Sequence, residues 1–533
     1  MNSSPTMPDA VPARHSNFSR TVFLGLLASY LLLILYPILH ADRYYNDDLV
    51  RTLLGNYGWN NNGRHLANLL MRVLQFGAAR AVDIAPLSQF GAVAVLAWIG
   101  VLVARRFRIE SPLLAILLAF PFGAQPFFLE NLSYRYDALG MALSLLFALL
   151  PILAIVRDRR GWWLGALSLL ASLSFYQPAF NVFLIFCLVE LAVLQTEQTT
   201  PRQLARVLLF RAAQALVVLV VYRIGIAPSL KAWTLDHSES IHSFEQLPLL
   251  WQHALAFWRF VMHEFPQRWA WLFAPLAVFA VLVPLASAMT YAMTDRSRRP
   301  GWQTAMLLLA ATLGPLMALV CTAGAMLLLV QPVFVPRVML GVGALLSGAL
   351  VVIYAVLRPP MFALRWQCGN AGVWALGMVV CASIYGNALS AQQHYEDRIA
   401  ADLANDMTSL RSVAAESYYL LDGSAGFSVE TARVVAQFPL IADLVPRYLG
   451  EDAVNEKFFL SYYQPGSEDL RSASSADARV SEVLQRICAL PVLQRRPAYE
   501  LRTYANVILV SFNNGRAAAC PDSAAGASVP TDD

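Results

Sequence analysis

Two adjacent carboxylates, Asp47 and Asp48, stand in the string Tyr44-Tyr45-Asn46-Asp47-Asp48-Leu49-Val50-Arg51, just beyond the first long apolar run. One such acid can take a proton from an incoming hydroxyl while its neighbour orients it or holds a metal. Adjacent side chains point in different directions, so one of the two is expected to meet a substrate. The alternative is a pair of solvated loop charges. Arg51 follows one helical turn later, and Trp59 and Gly63-Arg64-His65 lie shortly beyond it. A guanidinium suits bidentate phosphate contact, and arginines at a membrane surface also bind lipid headgroups.

A second cluster runs Glu130-Asn131-Leu132-Ser133-Tyr134-Arg135-Tyr136-Asp137, with an apolar run directly after it. Ionisable groups at such a place are costly and usually have a partner or a function. Glu130, Tyr134, Arg135 and Asp137 are therefore candidates for substrate binding, although Arg135 and Asp137 could also neutralise one another. Gln177, before Pro178, and Arg337, after Pro336, complete the set. Taken singly each reads as a turn residue. Together they share one membrane face in the layout that the rest of the chain dictates.

That layout follows from composition. The 533 residues are 57% hydrophobic and 14% charged, which describes a polytopic α-helical membrane protein. A spanning helix needs about 20 mostly apolar residues. About eleven runs qualify, near 21–39, 86–104, 111–129, 137–156, 162–176, 179–195, 205–222, 269–290, 303–329, 337–357 and 370–390, three of them (111–129, 162–176 and 179–195) short or broken by proline. Arginines mark the cytoplasmic loops. Arg14 and Arg20 precede the first run, and every even-numbered run ends in positive charge: Arg105, Arg106 and Arg108; Arg157, Arg159 and Arg160; Arg202 and Arg206; Arg296, Arg298 and Arg299; Arg358 and Arg365. The N-terminus is then cytoplasmic, and the Asp47–Asp48 loop and everything after residue 390 face outward. The first run reads as an uncleaved anchor after a disordered tail of residues 1–20.

The outer segments differ in character. Leu66, Leu69, Leu70, Val73 and Leu74 share a helical face in an amphipathic stretch over 66–79, suited to lying on the membrane. The loop 223–268 and its edge carry Trp233, Trp251, Trp258 and Trp269, which suit interfacial anchors, with His237, His242, His253 and His263 at spacings that make no metal site. Beyond residue 390 apolar content falls. Helical periods over 396–411, 429–449 and 476–488 alternate with β-rich stretches at Tyr418–Leu421, Phe458–Tyr463 and Ala505–Phe512, which predicts a soluble α+β domain over 391–520 before a disordered tail, 521–533. Residues 391–533 hold 12 Lys+Arg against 19 Asp+Glu, a difference of −7, so the net +4 of the chain leaves +11 on the membrane part. Nothing in that split suggests nucleic-acid binding. Cys488 and Cys520 are the two cysteines of the external region, and an oxidising compartment would let them pair.

The string Tyr45-Asn46-Asp47-Asp48-x-x-Arg51, with Gly55, Trp59 and Gly63-Arg64, resembles the start of the type II Gtr glucosyltransferases, membrane enzymes of O-antigen modification. Asn131-x-Ser133-Tyr134-Arg135-Tyr136-Asp137 and Ser174-x-Tyr176-Gln177-Pro178 are similar as well. His65 departs from the pattern, in which a proline follows Gly-Arg. The resemblance implies a GT-C-like membrane fold in a bacterial inner membrane, a polyprenyl-phosphate sugar donor and a lipid-linked glycan acceptor. It implies an acid on the first outer loop as base, the place of Asp47 and Asp48. Arg51, Arg64, Arg135 and Arg337 are then candidates to stabilise the departing phosphate, and a divalent cation is left open. The rivals are a GT-C transferase of another sugar or acceptor, a flippase or transporter of lipid-linked sugars, which should carry polar residues at mid-membrane, and a sensor built on the external domain.

Overall fold

The computed structural model describes residues 11–197, 199–231, 239–264, 301–357, 361–411, 418–450, 453–463, 470–472, 478–504, 507–516 and 520, with scattered positions between 278 and 289. Trp233, His237, Trp269, Arg296, Arg298, Arg299, Arg358, most of the run 269–290 and the tail 521–533 lie outside the described residues. The chain divides into two units. The first takes Met1–Leu39, Tyr57–Tyr385 and Phe438–Leu444; the second takes His40–Asn56, Gly386–Gln437 and Val445–Asp533.

The first unit is a helical membrane body. Its helices are α1 (Val11–Ser29), continued through a π turn (Tyr30–Leu35) into α2 (Tyr36–Ala41), then α4 (His65–Leu74), α5 (Leu87–Arg106), α6 (Pro112–Ala119), α7 (Pro121–Ala124), α8 (Phe128–Ser133), α9 (Ala138–Leu153), α10 (Arg159–Phe175), α11 (Phe180–Thr196) and α12 (Pro201–Gly225). Leu247–Glu264, Gly301–Ala323 and Leu340–Leu357 follow. The starts are written in the sequence: Ser111 caps α6 ahead of Pro112, Asp158 caps α10, and Thr200 with Gln203 forms a capping box ahead of Pro201.

Among the described residues seven helices are long and apolar enough to cross a bilayer: Ser16–Ala41, Leu87–Arg106, Gln177–Thr196, Pro201–Ser229, Leu308–Leu328, Leu340–Leu357 and Leu364–Ser409. This corrects the expectation of eleven. The run 111–129 breaks at Pro121 and at Gln125-Pro126 into short pieces, and 137–156 yields a helix of 16 residues. The run 162–176 becomes a 17-residue helix that opens on Arg159 and Arg160. Proline removes a backbone donor and sets such breaks.

The second unit holds α3 (Asp47–Leu54) and the later part of the 51-residue helix Met361–Arg411. Its sheet has five strands, β1 (Tyr418–Asp422), β2 (Leu470–Ser472), β3 (Val492–Arg495), β4 (Tyr499–Tyr504) and β5 (Val507–Phe512), in the order β2-β1-β5-β4-β3. β1 runs parallel to both β2 and β5, and β4 antiparallel to β5 and β3. β5 is buried along its whole length, as a central strand covered on both faces requires. The stretch expected as a strand at Phe458–Tyr463 is instead the end of the helix Ala453–Tyr463, because Phe459 and Leu460 face the core around Tyr448, Ile399 and Leu403. Cys488 and Cys520 are joined in a disulfide.

Candidate functional site

In the second unit the paired acids open α3, where carboxylates meet the positive end of the helix dipole. The helix separates them: Asp47 is exposed, whereas Asp48 is wholly buried and Arg51 is buried after it. Leu49 enters the core formed with Ile399, Leu403 and Tyr419. Asn46, immediately before the helix, has φ of +44°, a conformation L residues rarely adopt. Gly55 closes the helix in the left-handed region, with its N–H donated to the carbonyl of Arg51 at 2.7 Å.

Three residues outside the expected set fix this entry. The Tyr448 hydroxyl donates to the Tyr44 carbonyl at 2.7 Å and accepts from the Asn46 N–H at 2.8 Å. Burial pushes that hydroxyl well above its usual range against the pull of Arg43, so it stays a donor. Glu396 accepts from the Tyr448 N–H at 2.7 Å and is ion-paired with Arg43, which also donates to the Pro446 carbonyl at 2.8 Å. The Arg43 guanidinium lies 4.5 Å from the centre of the Tyr448 ring. Burial opposes the charge on Arg43, and Glu396 and Tyr448 outweigh it, holding the group above its usual range. No sequence signal ties Arg43 to Glu396, which is 353 residues away.

In the first unit the polar strings of the sequence meet. Trp59 is buried in a short turn between Gly58 and Gly63, both of positive φ, and packs with Tyr57 and Tyr136. Leu66, Leu70 and Leu74 of α4 pack against that cluster, while Leu69 and Val73 are exposed. The Trp59 indole N–H donates to Asp137 Oδ1 at 2.6 Å, and Arg64 Nη1 lies 3.8 Å from the same oxygen. The Arg64 guanidinium stacks 4.6 Å over the Tyr176 ring. Gln177 donates to the Asn62 carbonyl at 2.7 Å and to the Tyr222 hydroxyl at 3.0 Å. His65 contacts Asn60 and Ser229, each at 3.0 Å, so it ties the turn to the short helical turn Ala227–Ser229 that follows α12.

Tyr176 links this group to a second one. Its hydroxyl donates to the Arg337 carbonyl at 3.1 Å, which also accepts from Asn131 Nδ2 at 3.1 Å. Glu130, almost wholly buried, accepts from the Arg337 N–H at 2.6 Å and from Arg337 Nη1 at 2.9 Å. Burial raises Glu130 above the usual carboxylate range, with Arg337 opposing. Burial likewise pushes Tyr176 up to about 12, with Arg64 and Arg337 pulling it back. Tyr134 is buried within electrostatic reach of Arg337. Arg135 pairs with Asp83 at 3.0 Å. Trp59, Arg64, Glu130, Tyr134, Asp137, Gln177 and Arg337 thus gather, and Asn131, Tyr176 and Tyr222 join them. Asn131 and Tyr176 stood inside the strings read from the sequence; Tyr222, within an apolar helix, gave no sign. Two half-buried guanidiniums, each turned by a buried carboxylate, make an arrangement suited to a phosphate oxyanion.

Among the described residues no group of three or more His, Cys, Asp or Glu side chains could hold a metal ion. His253 instead contacts the Leu327 carbonyl.

The family model of glucosyl transferase GtrII matches residues 36–347, a stretch that takes in the paired acids and every residue of the Arg64–Arg337 group. A similar relative is an uncharacterized 55.3 kDa protein in the gtrB 5' region of Salmonella phage P22, 23% identical over 448 residues that cover 82% of this chain and 89% of the relative. No solved structure matches the chain. With more than half of its length under that family model, on a membrane helical body, the chain belongs to the GtrII glucosyl transferases.

Proposed function

We propose that this glucosyltransferase takes glucose from a polyprenyl-phosphate donor and passes it to a lipid-linked O-antigen or another cell-surface glycan, on the periplasmic face of a bacterial inner membrane. The arginines that close every second apolar run support a cytoplasmic N-terminus and outward-facing acids and polar strings. The reaction is a single displacement in a GT-C-type enzyme. The acceptor oxygen attacks the anomeric carbon as its proton passes to a carboxylate, the bond from that carbon to the phosphate oxygen breaks, and polyprenyl phosphate leaves with the electron pair from the opposite side. Configuration at the sugar inverts.

The observation that carries this reading is the pair of guanidiniums, Arg64 and Arg337, joined through Tyr176 and each held by a carboxylate. They take the charge that develops on the leaving phosphate. On the resemblance, and not on any geometry shared with those arginines, Asp47, the exposed member of the acid pair, is assigned as the proton acceptor, and within its own unit buried Asp48 holds the start of α3 in place.

Transfer from polyprenyl-phosphate glucose in membrane vesicles tests the assignment. Asp47→Asn keeps size but cannot act as a base at neutral pH, so turnover should fall about 100-fold or more. Asp48→Asn should lower expression or thermal stability along with activity. Normal turnover in both variants and in the double variant, at normal expression, overturns the base assignment.

A further inference from the structure

The membrane body carries a second polar site at the other end of α9. This helix starts beside Asp137 and runs 16 residues, about 24 Å at about 1.5 Å per residue. At its far end Ile152 and Arg157 line a cavity of about 270 Å³ together with Arg106 of α5, Glu190 of α11 and Arg211 of α12.

Glu190 is 1% exposed and accepts from Arg211 Nε at 3.0 Å and from Arg211 Nη2 at 3.3 Å. That fork alone neutralises the carboxylate. Arg211 is itself buried, and its remaining Nη1 donates to Gln214 at 3.1 Å. Two further cations nevertheless converge on the same acid. Arg106 Nη2 lies 3.0 Å from it and Arg157 Nη1 lies 3.9 Å away, with their side chains 28% and 35% exposed. The lining thus holds three guanidiniums against one carboxylate, and the surplus charge sits on the accessible wall. Arg211 alone supplies the fork that balances Glu190, so the part-exposed Arg106 and Arg157 bring charge that this acid does not cancel.

We propose that this cavity binds a phosphate group between Arg106 and Arg157, with Glu190 and Arg211 fixing the direction of the guanidiniums. The phosphate is borne by a lipid headgroup or is free in solution. Arg106 is the last residue of the span Leu87–Arg106, so the cavity stands at the level where headgroup phosphates lie. This site is separate from the transfer reaction and does not rest on it.

The full chain, purified in a neutral detergent, is titrated with inorganic phosphate, with dihexanoyl phosphatidic acid, and with dihexanoyl glycerol as a chain-only control, and its unfolding temperature is followed. A saturable rise with phosphatidic acid and none with dihexanoyl glycerol is the expected result. A matching response to inorganic phosphate marks the free ion as sufficient, and its absence makes the lipid the source. Arg157→Gln, at a part-exposed position, should weaken the response about tenfold, the worth of one charge-assisted hydrogen bond. The proposal fails if neither phosphate probe gives a saturable shift in the unaltered chain. An equal response to dihexanoyl glycerol, or an Arg157→Gln variant that binds as before, overturns it as well.

Discussion

Tyr448→Phe removes one oxygen and leaves the ring in its packing against Phe459 and Arg43. That oxygen makes two of the contacts that shape the approach to α3, at 2.7 Å to the Tyr44 carbonyl and 2.8 Å from the Asn46 N–H. Each such bond contributes about 1 kcal/mol net. The held residue, Asn46 at φ +44°, sits in a conformation that costs about 1–3 kcal/mol and persists only where its surroundings impose it. Losing both bonds should therefore destabilise the second unit by about 2 kcal/mol. It should also lower the population of the loop conformer that presents Asp47, by up to about 30-fold at about 1.4 kcal/mol per tenfold. Purified variant and parent are compared by thermal unfolding and by glucosyl transfer at varied donor concentration. The expected pattern is a fall in kcat of about 10- to 30-fold, with KM for the donor within about twofold. Adding Asn46→Gly to the variant should recover part of the loss, since glycine adopts positive φ without a steric cost. A Tyr448→Phe chain with unchanged kcat and unchanged unfolding temperature refutes the reasoning, and so does a loss that appears only in KM.

Trp59→Phe keeps the packing with Tyr57 and Tyr136 but takes away the 2.6 Å bond to Asp137; donor KM should rise about fivefold to tenfold in the same assay, the worth of one buried bond of about 1 kcal/mol or more. Gly63→Ala puts a Cβ at φ +69° and 3.0 Å from both the Tyr222 hydroxyl and Leu230, so thermal unfolding should show a loss of about 1–2 kcal/mol, with Arg64 displaced and activity lowered. Cys488→Ser with Cys520→Ser opens a link between positions 32 apart, which loop entropy values at about 4 kcal/mol; the second unit should become more sensitive to protease while the helical body is unchanged.

Most of the membrane body was legible because its signal is local. Seven of the apolar runs read from the sequence coincide with helices long enough to span, and at one of them the capping box of Thr200 and Gln203 ahead of Pro201 marks the start. The count went wrong where hydropathy is blind to backbone breaks, at Pro121 and Pro126, and where an arginine-led run is too short. The β-rich reading of Phe458–Tyr463 failed for a different reason: aromatic propensity was overridden by the packing of Phe459 and Leu460 on one helical face. The candidate residues were legible as types at helix ends, but their pairings were not. Arg337 follows Pro336 with nothing to announce that Glu130, 207 residues earlier, would hold both its amide and its side chain. Likewise Tyr448 and Arg43 are ordinary residues in sequence and acquire their role only through contacts about 400 positions apart.

Both ends of α9 use a buried carboxylate to aim arginines, and the difference in charge balance between them leads to a last prediction. Near the start of α9, Asp137 and Glu130 face Arg64 and Arg337, one acid per guanidinium; at its end three guanidiniums share Glu190. Burial lifts Glu130 above the usual carboxylate range while its bonds from Arg337 oppose that rise, and those bonds fix the direction of the guanidinium. If its main task is to aim Arg337, a neutral residue of the same shape should serve nearly as well. Glu130→Gln still offers one acceptor oxygen and loses only one of the two contacts at 2.6 and 2.9 Å, so donor KM should rise about tenfold or less with kcat nearly kept. Arg337→Gln removes the cation itself and should lower kcat about 100-fold, in the range seen when a transition-state donor is lost. Steady-state kinetics on both variants in vesicles separate the two roles, and a Glu130→Gln enzyme as impaired in kcat as Arg337→Gln would show that the carboxylate charge itself takes part in the reaction.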